Sequence, residues 1–177
     1  MPAPRPPTPW TVSGPAPSIP GRDSEDRMGS LYQQDIYLWS REQSAALRDA
    51  AGAKLNLPID WENVAEEIES VGRSERGSLR SQIRRVLEHL MKLQSSPAQE
   101  PRRGWIESII DARASIEDTL RGSPSLRREV SGMIEEETPR ARRIVRQRMV
   151  LYDEQPSRDL EALAYSEDQV LAWQPDA

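Results

Sequence analysis

Ile68, Glu75, Gln82 and His89 follow one another at seven-residue intervals. On an α-helix they form a line on one face, close to the apolar stripe. A carboxylate in that position, between Val71 and Leu79, must find a cation or hydrogen-bond donor or else take up a proton. Arg113 lies beside the Ile109–Ile116 stripe of a later segment and is expected to reach a carboxylate on a facing helix in bidentate fashion. Two readings follow. Glu75 could act as a base or metal ligand, with His89 as acid, base or ligand. Alternatively Glu75, Gln82, His89 and Arg113 form a polar network that fixes helix register. Glu75 and His89 are fourteen positions apart, about 21 Å along one helix, too far to share one small site. The spacing favours the network.

A second group is acidic: Glu62, Glu66, Glu67 and Glu69. Helical neighbours of this kind hold magnesium when a facing helix supplies a matching pair. Asp111 and Glu117-Asp118 are the nearest candidates for that second element, and their spacing is wrong. The group reads instead as an acidic first half that complements the helix dipole, with Arg73 and Arg76 pairing locally. No metal site is expected. Composition narrows the chemistry further. The chain has no cysteine and one histidine, which excludes disulfides, thiolate ligands, cysteine nucleophiles and any multi-histidine centre within one chain. There is no glycine-rich phosphate loop and no serine elbow, and no cofactor is expected.

The net charge of −5 argues against non-specific nucleic-acid binding. Arginines cluster at Arg80, Arg84 and Arg85 and again at Arg140, Arg142, Arg143, Arg146 and Arg148. The second cluster alternates with Ile144, Val145 and Met149 and is partly neutralised by Glu135, Glu136 and Glu137, as on the wet side of an amphipathic helix. No aromatic residue is interleaved between Trp105 and Tyr152, so a nucleic-acid surface is not expected. No apolar run reaches the roughly 18 residues of a membrane span, and prolines stand where a signal peptide has its apolar region. The expected location is cytoplasmic.

These residues need helices to position them, and the chain divides accordingly. Residues 1–29 hold eight of the fifteen prolines and are expected to form a disordered tail. Residues 30–172 form a single helical domain, and 173–177 a short C-terminal tail. Tyr32, Ile36, Trp39, Ala46 and Leu47 recur at helical spacing, with Asp35 or Ser40 as cap and Gly52 as stop. Asp60 caps the next segment, whose apolar positions keep one 3.6-residue phase across Gly72. One helix over about 60–94, roughly 52 Å long, is predicted, with Gly72 as a possible kink. A third helix carries Trp105, Ile109, Ala112, Ile116 and Leu120. Gly122 ends it, Ser123 caps the fourth, and Pro124 takes the first helical position. Thr138-Pro139 is expected to kink or split that fourth helix. A short helix is predicted over Ser166 to Leu171. Trp39, Trp61 and Trp105 fall at core phases and read as packing anchors.

The run DWENVAEEIESVGRSE (Asp60 to Glu75), with HLMKLQ (His89 to Gln94), Trp105 and Arg113, resembles the bacterial family called domain of unknown function twenty-nine. YQQDIYLW, SPSL and YSEDQVL support it. Within the run, Asp60, Trp61, Glu62, Asn63, Glu66, Glu67 and Glu69 carry the family pattern. The resemblance covers roughly 30–172 and implies an all-helical bundle with no assigned activity. The fold expected is thus all-α, four-helix and bundle-like, with one long central helix. A helix of that length projects beyond a compact globule with a radius of gyration near 15 Å and needs a surface to pack against. The leading expectation is a non-enzymatic interaction or scaffold module that forms a two-fold dimer. A metal-dependent hydrolase acting on nucleotides or nucleic acid, and an antitoxin-like partner of another protein, are the alternatives.

Overall fold

The computed structural model describes residues 30–53 and 58–172. The proline-rich segment 1–29 and the C-terminal tail 173–177, Trp10 and Trp173 included, lie outside the described residues. Among the described residues there is no strand. The main elements are α1 (Ile36–Gly52), α2 (Trp61–Ser95), α3 (Arg102–Gly122), a 3-10 helix (Pro124–Glu129), α4 (Val130–Leu151), a 3-10 turn (Leu160–Ala162) and α5 (Glu167–Leu171). The protein is all-α, and α2 is its central element, packed by α1, α3 and α4.

Asp35 rather than Ser40 caps α1. Its carboxylate accepts from the Leu38 N–H at 2.8 Å. Ser40 is buried inside the helix, where its hydroxyl donates to the Tyr37 carbonyl. Asp60 caps α2 through the Asn63 N–H at 3.3 Å, and the helix then runs unbroken for 35 residues, about 52 Å. Gly72 does not interrupt it. This glycine is buried against α1, where an added Cβ would meet the Tyr37 ring at 3.3 Å and run into the Ser40 hydroxyl. The missing side chain lets the two helices approach closely, and that packing outweighs the helix propensity a glycine gives up.

The α3–α4 junction departs from expectation. Ser123 does not cap a helix: its hydroxyl is buried with no hydrogen-bond partner. The N–H of Ser125, which a cap at Ser123 would have taken, donates instead to Asp35 at 2.7 Å, and the Ser125 hydroxyl joins it at 3.0 Å. The chain therefore makes a 3-10 helix first, and α4 starts only at Val130. Pro139 stands inside α4 without splitting it. In the turn it loosens, the Thr138 hydroxyl donates to the Ile134 carbonyl at 2.7 Å.

Leu79, Ile83, Val86, Leu87, Leu90 and Met91 of α2 are all but inaccessible, and meet Ile109, Ala112 and Ile116 of α3 and Val130, Met133 and Val145 of α4. Each such side chain contributes about 2 kcal/mol by leaving water. The C-terminal segment folds back on this core. Arg142 donates to the carbonyls of Leu160 and Leu163. Arg113 donates to those of Val170 and Gln169. Ser166 and Gln169 form a reciprocal capping box at the start of α5.

Two glycines of α2 should respond oppositely to alanine. Nothing lies within 4 Å of a Cβ at Gly77, so Gly77→Ala is expected to stabilise by about 0.8 kcal/mol. Gly72→Ala is expected to destabilise by about 1 kcal/mol despite the same propensity gain. Chemical denaturation of the two variants checks both signs.

Candidate functional site

Along α2, Arg76, Arg80 and Arg84 stand four residues apart on one ridge. Each reaches an acidic partner beyond its own helix. Arg76 donates to Glu129 at 2.7 Å, and the Tyr37 hydroxyl donates to the other oxygen of that carboxylate at 2.9 Å. Arg80 bonds Glu137 and also pairs with Glu136 at 3.1 Å. Arg84 donates to the second oxygen of Glu137 at 3.1 Å. One helical step further, Glu88 accepts from Arg148 of α4 at 2.7 Å. Glu137 is 0 % exposed. Burial pushes its carboxyl up, but the hydrogen bonds from Arg80 and Arg84 outweigh that and hold it below the ordinary carboxylate range. Glu129 is likewise raised by burial and lowered further by Arg76 and Tyr37.

The expected network of Glu75, Gln82, His89 and Arg113 does not assemble. Glu75 is half-buried and has no hydrogen bond or ion pair among the described residues. The Gln82 side-chain oxygen and His89 Nδ1 are buried without partners. Arg113 grips the main-chain carbonyls of Gln169 and Val170 at α5. The buried acids are instead Glu137, Asp35 and Glu88. Glu137 had a signal of its own: with Val130, Ile134, Ala141 and Val145 it falls on the apolar phase of α4. Burial, and then Lys92, Arg148 and Arg85, lower the His89 pKa to about 4. The ring is therefore neutral at pH 7.

The acidic motif also has a definite placement. Asp60 and Asn63 make the cap of α2, and the Asn63 amide donates to Asp60 at 2.6 Å. Arg48 of α1 reaches Glu69 at 2.6 Å and Glu62 at 3.4 Å, so these two carboxylates help hold α1 against α2. Glu66 and Glu67 are exposed, and Trp61 is half-buried with its indole N–H unpartnered. Arg73 pairs with Glu69, at 3.6 Å, but Arg76 reaches across to Glu129 instead of pairing locally. Among the described residues, no group of three or more acidic or histidine side chains is placed to hold a metal.

A step in coverage divides α2 in two. α3 runs antiparallel to it: Arg102 bonds the Leu93 carbonyl at 2.9 Å, Lys92 stands over the Trp105 ring, and Ser108 and Asp111 border the same depression as His89 and Arg85. With equal rise in both helices, that register brings the last residue of α3, Gly122, level with Ser74. The face that α3 covers carries Val86 and Leu93, exposed by 0 % and 7 %. On the same face past the end of α3, Val64 and Val71 are 40 % and 37 % exposed. Glu75 sits at the step. The other side of this overhang is closed by α1, through Gly72, Tyr37 and Ser40.

The titrations set the acid stability of the fold. The unfolded His89 takes up its proton from pH 6.5 downward, before the folded one does near about 4, so stability falls across that window. His89→Gln is expected to flatten the fall. Glu137 contributes above the ordinary value of 4.5 and loses its contribution as pH drops through its lower folded value. Glu137→Gln is expected to cost about 2 kcal/mol at neutral pH, with the gap to wild type closing in acid. Urea unfolding from pH 7 to pH 3 measures both.

No helix among the described residues is long and apolar enough to cross a membrane. Comparison of the sequence with curated proteins gives no match. Among solved structures, the fold is similar to an alpha-helical protein of unknown function from Rhodospirillum rubrum. The TM-score is 0.67 at 23 % identity, covering 78 % of this chain and 88 % of that one. At that identity the likeness is one of fold. The family model described as domain of unknown function DUF29 matches residues 31–173, and the chain belongs to that family.

Proposed function

We propose that the protein is a non-enzymatic helical interaction module that self-associates as a two-fold dimer through the overhang of α2. The observation that carries this reading is the lane over Trp61–Ser74, where, among the described residues, the face filled by α3 further along lies open with Val64 and Val71 exposed. The lane is one helix wide and about 20 Å long. A second copy of the same segment fits it for three reasons. Its apolar residues repeat with the same three- and four-residue spacing, so the ridges of one copy match the grooves of the other. Antiparallel pairing about a two-fold sets the two helix dipoles head to tail. One flank of the lane carries Asn63, Ser70 and Ser74, small side chains that permit close approach.

The test is solution mass by sedimentation and light scattering. The wild type is expected to run as a dimer at micromolar concentration. Val71→Glu, alone or with Val64→Glu, is expected to give a monomer of unchanged helical content. Arg143→Glu, on the exposed side of α4, is expected to leave the dimer intact. A monomeric wild type, or a dimer indifferent to both valine changes, would overturn the reading.

A further inference from the structure

At the opposite end of α2 from the overhang, two cations converge in a partly desolvated place, and one of them, Lys92, is not neutralised by a direct ion pair among the described residues. Lys92, in the last turn of α2, is half-buried. Its ammonium lies 5.7 Å from the centroid of the Trp105 ring and makes no ion pair among the described residues. Arg148 approaches from α4 and is shared with Glu88. Burial lowers the Lys92 pKa and Arg148 lowers it further, against the partial opposition of Glu88 and Glu154. His89, one turn back, is held neutral by the same group of cations after burial. A cluster of like charges is costly in a partly desolvated place, and a bound anion relieves it.

The cluster borders a cavity of about 430 Å³, within the size range of small-molecule sites. Pro101, Trp105, Val145 and Met149 supply apolar wall, while Lys92, Arg148 and Glu154 supply the charges. Trp105 is half-buried, and Val145 and Met149 belong to the core, so this wall is fixed by packing. Glu154 is anchored by the Ser96 hydroxyl at 2.6 Å, which keeps a negative charge beside the cations. That carboxylate disfavours a multiply charged ligand such as phosphate. The lining suits one negative charge attached to an apolar body.

We propose that the junction of α2, α3 and α4 is a binding site for a small amphiphilic carboxylate, its carboxylate between Lys92 and Arg148 and its acyl or aryl body against Trp105 and Met149. Lys92 is the selective element. A long neutral side chain would preserve the walls and lose the charge that distinguishes an acid from its amide.

Octanoate, octanamide and inorganic phosphate serve as probes at pH 7, titrated into the full-length protein by calorimetry and followed by NMR. His89, the one histidine of the chain, gives an unambiguous ring signal beside the site. Octanoate is expected to saturate, to shift the His89 and Trp105 ring signals, and to bind about tenfold more tightly than octanamide. Phosphate is expected not to saturate. Lys92→Met, if its circular dichroism matches wild type, is expected to weaken octanoate about tenfold and octanamide little. Absence of saturation by octanoate overturns the proposal. So does equal affinity for octanamide or phosphate, or saturation without shifts at His89 and Trp105. Should Lys92→Met fail to fold, the acid-to-amide comparison on the wild type decides.

Discussion

The buried carboxylate of Glu137, gripped by Arg80 and Arg84, is the constraint on which the arrangement of the helices depends. Ion pairs of this kind add little net stability, because removing the charges from water costs nearly as much as their attraction returns. Their effect on register is different in kind. A slide of α4 along α2 by one turn, about 5.4 Å, would break the matched set: in one direction Glu137 would meet Arg76 and Arg80 but Glu129 would lose its partners, and in the other Glu137 would face the carboxylate of Glu88. The same ridge of α2 then propagates the alignment. Arg76 fixes Glu129 at the end of the 3-10 helix, and Tyr37 brings α1 to that carboxylate. Arg148 returns to Glu88 from the far end of α4. Apolar packing supplies the cohesion, and these few directional bonds select one among several similar packings.

Beyond this aligned region α2 keeps going while α3 does not. The two ends of the helix therefore live in different surroundings. Around Leu90 it is enclosed, with cations crowded at its exit. Around Val64 its neighbour among the described residues is α1, drawn close by Gly72 and clasped by Arg48. A two-helix arm with one apolar side open to water is poor in buried area for its length. This asymmetry separates the two proposed contact sites, the overhang for a helix and the junction of α2, α3 and α4 for a small molecule.

Much of the fold was legible in the sequence because it rests on local rules. Asp60, Gly52, Gly122 and Ser166 mark helix ends by chemistry that acts within four residues, and the long apolar phase of α2 survives Gly72. Ser123 misled, since the N–H it would have capped is taken by Asp35, ninety positions away along the chain. No local pattern carries that competition. The polar network was misplaced for a related reason. Glu75 lies on the right face of α2, yet burial there depends on where α3 ends, and that follows from the Lys92–Trp105 register rather than from anything near Glu75. Glu137 stood on the apolar phase of α4 but was masked by Glu135 and Glu136 beside it, which read together as a solvated run.

The grip of Arg113 and Arg142 on the C-terminal segment has a consequence for how such a chain can diverge. Both guanidinium groups bind peptide carbonyls, at Gln169 and Val170 and at Leu160 and Leu163. Every residue type offers the same carbonyl, so outward-facing side chains of that segment other than Glu161 and Glu167, which pair with arginines of the bundle, can change while its anchorage persists. The anchorage depends instead on the two arginines, which lie in other helices, and on the few inward side chains such as Val170 and Tyr165.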